Sequence, residues 1–214
     1  MGQYFKPVIL IKNDKGHDIP ASWLHPHDFK VSWNVPSGKK ITIGIGLKLM
    51  EHSYLDNPML NHVEKLLMPG GMWHKERLLW AGDYADYEPQ TQYGITDNEN
   101  CDDICIKGKR IYHYLNDATK LIAKNKFGLS KLNRYIINHT LKQYVDKNKV
   151  PSNIHDMRIH PLPLLTCEGN GRGGGDYYSK AGQEFIGTWA RHYISIDKKV
   201  PVDYTEIIPN FIEK

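Results

Sequence analysis

Cysteine is scarce in this sequence, with three residues among 214, namely Cys101, Cys105 and Cys167. Cys101 and Cys105 are four residues apart, so on a helix they would share a face without the geometry that a disulfide needs. A small, odd number of cysteines is typical of proteins from reducing compartments. The cysteine count therefore argues against a disulfide-stapled secreted domain and predicts a cytoplasmic protein.

Long apolar runs are also missing, and none approaches the ~20 residues that a membrane-spanning helix requires. Met1 to Pro7 leads directly into a strand-like run, without the charged and then apolar segment of a secretory signal. Charged residues make up 24% and hydrophobic residues 40% of the chain, close to the average of globular domains. We expect a globular protein that has no membrane partner.

The excess of one charge sign is small, +4 at pH 7. The lysines occur in separate clusters with acidic residues between them, and the segment 107–149 comes nearest to a basic stripe. Nucleic-acid binders typically concentrate basic residues on one face and interleave them with aromatic residues. A run of charges is more often a solvated face. The charge pattern therefore disfavours a nucleic-acid partner.

Dense catalytic or metal-binding signatures are absent as well. No His-Glu-x-x-His motif is present, so Glu51 and His52, next to a predicted helix start, are only weak candidates for metal ligands. Cys167, with His160 seven residues upstream, is a candidate nucleophile, although a small buried residue is the default interpretation of such a cysteine. The sequence leaves open whether the protein uses a cofactor and whether it is an enzyme.

Glycine, in contrast, is concentrated between Cys167 and Tyr178, where five glycines fall within the seven residues 169–175. Successive backbone N–H groups of such a loop can form an anion-binding nest, and Arg172 can clamp a phosphate or carboxylate with two hydrogen bonds. The spacing of Gly169, Gly171 and Gly174 matches the dinucleotide fingerprint, but a poor helix start follows it. The alternative is a connection whose glycines allow tight turns.

The element pattern predicts a single α+β domain over residues 1–214, with a mostly antiparallel sheet and a few helices, because strand-like runs follow one another without alternating helices. Pro7 favours an edge position for the first strand, 4–11. The clearest helix starts with Asp56 or Asn57 as cap and Pro58 at its first position. Residues 87–149 are a possible insertion.

Several blocks of the chain resemble a group of uncharacterised bacterial and phage proteins. These blocks are Met1-Gly2-Gln3-Tyr4-Phe5, Gly46-Leu47-Lys48-Leu49-Met50-Glu51-His52-Ser53, Trp80-Ala81-Gly82-Asp83-Tyr84-Ala85-Asp86 and Gly173-Gly174-Gly175-Asp176. The resemblance covers most of the chain. It implies a bacterial or phage source, a cytoplasmic setting and one structural unit, and it implies no catalytic residues.

The leading hypothesis for function is the binding of a small anionic ligand, a nucleotide or phosphate, by the glycine-rich loop 169–176. The expected ligand-binding residues are Gly171, Arg172, Gly173, Gly174 and Asp176 of the loop, Asp83 as an acceptor from hydroxyls, and Trp80 or Tyr177 as a stacking face. We expect the blocks Gly82-Asp83 and Gly175-Asp176 to lie close together.

Two alternatives remain open from the sequence. One is a metal-assisted hydrolase that uses Glu51, His52, Asp83 and Asp176. The other is a protein without catalysis that binds or inhibits a protein partner through a tyrosine-rich surface, since the chain has 13 Tyr and 5 Phe.

Overall fold

The fold is taken from a computed structural model of the chain. The structure describes residues 4–14, 16, 18–34, 37–54, 57–83, 134–152, 158–169, 177 and 179–212. Within these ranges no helix is long and apolar enough to cross a membrane.

Strands dominate the described residues. They are β1 (Phe5–Lys12), β2 (Asp18–Trp23), β3 (Lys30–Asn34), β4 (Lys40–Gly44), β5 (Glu76–Gly82), β6 (Tyr135–Asn138), β7 (Gln143–Asp146), β8 (Cys167–Glu168), β9 (His192–Asp197) and β10 (Thr205–Glu206). The α-helices are α1 (Leu49–His52), α2 (Pro58–Leu67) and α3 (Pro161–Thr166). Short 3₁₀ turns occur at Pro26–Asp28, Lys147–Lys149 and Gln183–Phe185.

The main sheet has the strand order β10-β7-β6-β9-β5-β1-β2, and β8 pairs with β5 outside this path. Its pairs are antiparallel except for β5 with β8 and β7 with β10. β3 and β4 form a separate antiparallel sheet. This arrangement confirms the predicted α+β class with a mostly antiparallel sheet.

The predicted edge position of β1 is wrong, because β1 lies between β2 and β5. Pro7 faces Trp80 on β5 and accepts a hydrogen bond from the N–H of Leu24 on the β2 side. A residue's N–H and C=O point to the same side of a strand, so the missing N–H of Pro7 belongs to the β2 side. Ladder pairing with β2 starts only at Val8, so the N–H that the proline lacks falls at the end of this ladder and does not interrupt it.

Apolar residues cover both faces of the sheet around β1 and β5. Phe5 and Ile9 belong to the larger core, which also contains α2 and α3, whereas Val8 and Leu10 belong to a second cluster with Trp23. The alternation along β1 is the period of two that a strand imposes on its side chains. Both clusters are buried, so β1 and β5 are interior strands.

The helix α2 follows its local sequence signals. Asn57 Oδ1 accepts the N–H groups of Met59 and Leu60 at 2.9 and 3.2 Å, and Pro58 occupies the first helical position. Val63 and Leu67 lie on the buried face, in the larger core. The predicted cap and first residue of this helix are thus confirmed.

Three further expectations have mixed outcomes. The β-like runs 135–137 and 143–145 predict two strands with a turn at 138–140 or, as the alternative, one helix across the segment. The strands β6 and β7 pair as a hairpin, which confirms the turn. Pro151, Pro161 and Pro163 predict an extended path into the glycine-rich loop. At Pro161 and Pro163 this prediction is wrong, because both residues lie in the first turn of α3, where a helix needs no N–H partner. The sequence over 185–196 also predicts a strand, but β9 begins only at His192, since 3₁₀ and turn conformations precede it. Residues 134–149 of the possible insertion include β6 and β7 of the main sheet, whereas 87–133 lie outside the described residues.

Candidate functional site

The root of the glycine-rich loop lies beside the end of β5. β8 pairs with β5 in parallel, with Trp80 opposite Cys167 and Ala81 opposite Glu168. Parallel strands end at the same edge of a sheet, so Gly82-Asp83 and Gly169 leave this edge side by side. The loop residues expected to bind the ligand, Gly171, Arg172, Gly173, Gly174 and Asp176, lie outside the described residues.

Asp83 is fixed at this edge by the first residues of β1. Its Oδ1 accepts the N–H of Tyr4 at 2.9 Å, and its own N–H donates to the carbonyl of Tyr4 at 2.9 Å. The residue is 8% exposed. A carboxylate held in this way at a strand end has a defined position next to the loop root.

Trp80 is fully buried, and its indole N–H is used inside the protein. The indole Nε1 donates to His52 Nδ1 at 3.0 Å, and His52 Nε2 lies 2.8 Å from the carbonyl of Gly46. Because an indole N–H only donates, Nδ1 of His52 is the acceptor, and the proton of the neutral ring is on Nε2. Trp80 therefore packs and hydrogen-bonds in the core, and it presents no open face for stacking.

His52 is neutral in this environment. Burial lowers its pKa from 6.5 to about 4, although the hydrogen bond to Gly46 acts in the opposite direction. Both ring nitrogens are engaged, so coordination of a metal would require His52 to give up one of these two bonds. Among the residues that the structure describes, no group of three or more His, Cys, Asp or Glu side chains can hold a metal ion.

Glu51, the other weak candidate for a metal ligand, caps the short helix α1. Its Oε2 accepts the backbone N–H of Lys48 at 3.0 Å. The carboxylate lies over Gly46, where an added Cβ would meet Oε2 at 1.8 Å. Glycine at position 46 thus permits both the capping bond of Glu51 and the bond from His52.

The root of the glycine-rich loop is held by a set of charged side chains. They lie on the face of the sheet that carries the second cluster, with Val8, Leu10 and Trp23. Arg191 donates from Nε and Nη2 to the two oxygens of Glu168 at 2.6 and 2.7 Å, and from Nη1 to Asp18 at 3.3 Å. Asp18 also accepts from both terminal nitrogens of Arg77 and from Lys12 Nζ at 2.6 Å. The residue before the loop, Glu168, is therefore tied to β2 and β5.

Asp18 is the central anion of this charged set. Burial acts to raise the pKa of its carboxyl, but hydrogen bonds from Arg77 and Lys12 outweigh burial and lower the pKa overall. Bidentate pairs such as that of Arg191 with Glu168 are among the strong hydrogen bonds of proteins. Arg191 and Glu168 were not among the residues that the sequence singled out.

Tyr177 anchors the other end of the loop. Its hydroxyl contacts the carbonyl oxygens of Ala181 and Phe211, the latter at 3.0 Å, and its ring meets the ring of Phe211 edge-on with centroids 5.9 Å apart. Gly182 follows with φ +70°, and an added Cβ there would lie 2.5 Å from the carbonyl oxygen of Asn210. The ring of Tyr177 is buried, so it supports the loop exit and does not form an open stacking face.

The candidate nucleophile Cys167 is buried, and its thiol donates to the carbonyl of Leu164 at 3.2 Å. His160 uses both ring nitrogens elsewhere: Nδ1 accepts the N–H of Leu162 at 3.1 Å, and Nε2 lies 2.6 Å from Glu64. His160, the histidine that the sequence places upstream of Cys167, is thus engaged with Leu162 and Glu64 and is not paired with the thiol.

No family model, curated protein or solved structure matches the chain.

Proposed function

We propose that the protein binds a small anionic ligand, a nucleotide or a phosphate, in the glycine-rich loop 169–176. The observation that supports this most is the parallel pairing of β8 with β5, which fixes the loop root beside Asp83. A glycine-rich backbone can turn several N–H groups toward one anion. Arg172 supplies the charge-assisted hydrogen bonds, and Asp83 accepts from a hydroxyl of the ligand.

The two anchors of the loop support this role. Arg191 and Glu168 hold the entry to the loop, and Tyr177 holds its exit. A loop that is fixed at both ends loses less conformational freedom when it binds, so more of the contact energy is available for affinity. In this proposal Trp80 and Tyr177 act through packing, since both rings are buried.

We also propose a cytoplasmic setting in a bacterium or phage-infected cell. The low cysteine count and the resemblance to bacterial and phage proteins support it.

The test is a thermal-shift screen against nucleotides, sugar phosphates and inorganic phosphate, followed by calorimetric titration of any ligand found. A ligand at a hundredfold excess over its dissociation constant stabilises the native state by about 2.7 kcal/mol. For a chain of this size, that corresponds to a rise in melting temperature of about 5–10 °C. A divalent-metal series run in parallel tests the hydrolase alternative.

The Arg172→Ala variant should weaken binding of the ligand about 10- to 100-fold, because a hydrogen bond to a charged group contributes about 1.5–3 kcal/mol. Arg158→Ala, which removes an exposed arginine from a neighbouring segment, is the matched control and should bind as the parent does. Equal affinity of the Arg172→Ala variant and the parent would contradict the proposed loop site. A blank screen would shift support to the protein-partner alternative.

A further inference from the structure

A serine, a histidine and a tyrosine lie within hydrogen-bond distance of one another on the main sheet. Ser195 Oγ is 2.7 Å from Nε2 of His139, and Nδ1 of the same ring is 3.0 Å from the hydroxyl oxygen of Tyr204. The ring of Tyr204 meets the imidazole edge-on, with centroids 5.8 Å apart. A hydroxyl beside an imidazole whose other nitrogen is held by a third group is the arrangement of an activated nucleophile.

The three side chains come from separate elements. Ser195 lies in β9, His139 directly follows β6, and Tyr204 directly precedes β10. Ile194 and Ile196 belong to the larger core, so Ser195 between them points to the opposite face of the sheet. The pairing of β6 with β9 and of β7 with β10 brings the three side chains together.

This group lies at the beginning of β5, whereas the glycine-rich loop starts beside the end of β5. Lys75, the residue before β5, donates its N–H to the carbonyl of Ile194, next to Ser195, at 3.0 Å. The root of the loop lies at Gly82-Asp83, at the other end of the strand. The two sites are therefore separate, and neither depends on the other.

The hydrogen-bond partner of Ser195 differs from that of another buried serine. Ser53 is fully buried, and its hydroxyl donates to the backbone carbonyl of Leu49 at 2.8 Å. Ser195 is 1% exposed, and its hydroxyl meets the titratable ring of His139 instead. A carbonyl can only accept a hydrogen bond from a hydroxyl, whereas a neutral imidazole can also remove the proton.

The surroundings of His139 favour the neutral ring. Burial lowers its pKa below the ordinary 6.5, and the charges of Lys75 and His74 lower it further, whereas Asp197 acts in the opposite direction. A neutral imidazole is the form that accepts a proton at pH 7. The ammonium group of Lys75 also supplies positive charge beside the hydroxyl and the ring, as the stabilisation of an oxyanion requires.

Left-handed backbone conformations border the three residues. Lys75, Lys142 and Asp203 have φ angles of +59°, +53° and +73°. Asp203 directly precedes Tyr204, and the carbonyl of Lys142 accepts the N–H of Thr205 at 2.9 Å. Such conformations are unfavourable for residues other than glycine, and they cluster at active sites.

We propose that Ser195 is the nucleophile of a hydrolase site for small carboxylic esters, with His139 as its base and Tyr204 as the residue that positions the base. His139 Nε2 takes the hydroxyl proton while Ser195 Oγ bonds to the carbonyl carbon, and the electron pair of the C=O bond moves to its oxygen. The C–O bond to the alcohol then breaks, and the alcohol leaves with the proton from Nε2. Water repeats both steps on the acyl-serine, which releases the carboxylic acid and returns the proton to Oγ.

Burial of the nucleophile determines the class of substrate. His139 and Tyr204 are partly exposed, so the imidazole borders solvent, but Ser195 itself is 1% exposed. A large acyl group does not fit such a position. A phosphate ester would have to give up the hydration of its charge, which costs far more than desolvation of a neutral ester. A short, uncharged acyl group such as acetyl therefore fits best.

The test uses the full chain with p-nitrophenyl acetate and with a fluorescent fluorophosphonate. The chain should release p-nitrophenolate with turnover, and the fluorophosphonate should bond to Ser195 Oγ with loss of fluoride, as mass spectrometry of the proteolytic peptides will show. After subtraction of the uncatalysed rate, ester hydrolysis should be constant above pH 6.5 and fall by half at a pH below 6.5, because protonated His139 is no base.

Substitutions separate the three roles. Ser195→Ala should abolish labelling and turnover, and His139→Gln should slow both about 100- to 10000-fold. Tyr204→Phe keeps the ring and should lower the rate of turnover about 2- to 10-fold. It should also shift the acidic limb of the pH profile to lower pH, which a purely structural role would not do. Ser53→Ala, the matched change at a buried serine that donates to a carbonyl, should react as the parent does.

Three results would overturn the proposal. They are the absence of both reactions in the parent, a fluorophosphonate adduct on a residue other than Ser195, and equal rates for Ser195→Ala and the parent. The position of the adduct in the parent decides the question even if Ser195→Ala does not fold.

Discussion

The buried imidazole of His52 should make the fold lose stability in mildly acidic solution. Its pKa in the fold is about 4, because burial opposes protonation, whereas its ordinary value is 6.5. As the pH falls below 6.5, the unfolded chain binds a proton that the folded chain does not bind. The stabilisation is therefore fully present above pH 6.5 and is lost progressively as the pH falls toward 4.

The size of this loss follows from the two pKa values. A gap of about 2.5 units, at 1.36 kcal/mol per unit, corresponds to about 3 kcal/mol of unfolding free energy between pH 7.5 and pH 4. His160 contributes in the same direction, because burial lowers its pKa as well, although Glu64 opposes that shift. A loss of about 3 kcal/mol is a large part of the stability of an ordinary domain.

Replacement of His52 separates its contribution to the pH dependence of stability from the contributions of the other titrating groups. In His52→Leu the indole N–H of Trp80 and the carbonyl of Gly46 lose their partner, and each buried unpaired group costs about 1–3 kcal/mol. The variant should be about 2–5 kcal/mol less stable at pH 7.5. Between pH 7.5 and pH 4, however, it should lose about 3 kcal/mol less than the parent does.

The assay is urea denaturation followed by circular dichroism at several pH values, with a check that the transition has two states. His27→Gln removes an exposed imidazole and serves as the control. Parallel stability curves for the parent and His52→Leu over this pH range would refute the assignment of His52 as a buried neutral imidazole.

Two further predictions concern packing around α2. Glu64→Ala should cost about 3–5 kcal/mol of stability, because it leaves the ammonium of Lys147 and the buried Nε2–H of His160 without their anion. In a double-mutant cycle, strictly additive effects of Glu64→Ala and Lys147→Met on stability would argue against the Glu64–Lys147 pair. Gly71→Ala should destabilise the protein more than Gly46→Ala does. The new Cβ at position 71 would lie 2.2 Å from the backbone oxygen of Leu66, whereas the new Cβ at position 46 would meet the movable side chain of Glu51. A lower melting temperature for Gly46→Ala than for Gly71→Ala would contradict this.

Elements specified by neighbouring residues could be predicted from the sequence. Asn57 and Pro58 predict the start of the helix α2. A turn between two β-branched runs predicts the hairpin of β6 and β7. Where local sequence rules gave a wrong prediction, the tertiary structure around the residue determined its conformation. Pro7 is tolerated between two strands because its missing N–H falls at the end of the ladder with β2, and Pro161 begins a helix although the prolines of this segment predict an extended path.

The contacts of the site were less accessible to sequence reasoning, because the partners are distant in the chain. Trp80 and His52 are 28 positions apart, and Arg191 and Glu168 are 23 apart. Nothing in the residues next to His52 indicates that an indole N–H will donate a hydrogen bond to its Nδ1. The sequence predicts that Gly82-Asp83 lies near Gly175-Asp176; the parallel pairing of β5 with β8 brings the loop root at Gly169 beside Asp83, whereas Gly175 and Asp176 lie outside the described residues.

The position of β9 has a consequence for synthesis of the chain. β9 lies between β6 and β5, so in the described sheet it joins the β6–β7 hairpin to the strands β5, β1 and β2. Until residues 192–197 have left the ribosome, these two parts lack the strand that connects them, and each exposes an unpaired edge. Such edges are templates for pairing with other chains, and sheets built from distant segments fold slowly. A nascent chain of this protein is therefore open to aggregation until β9 can pair with β5 and β6.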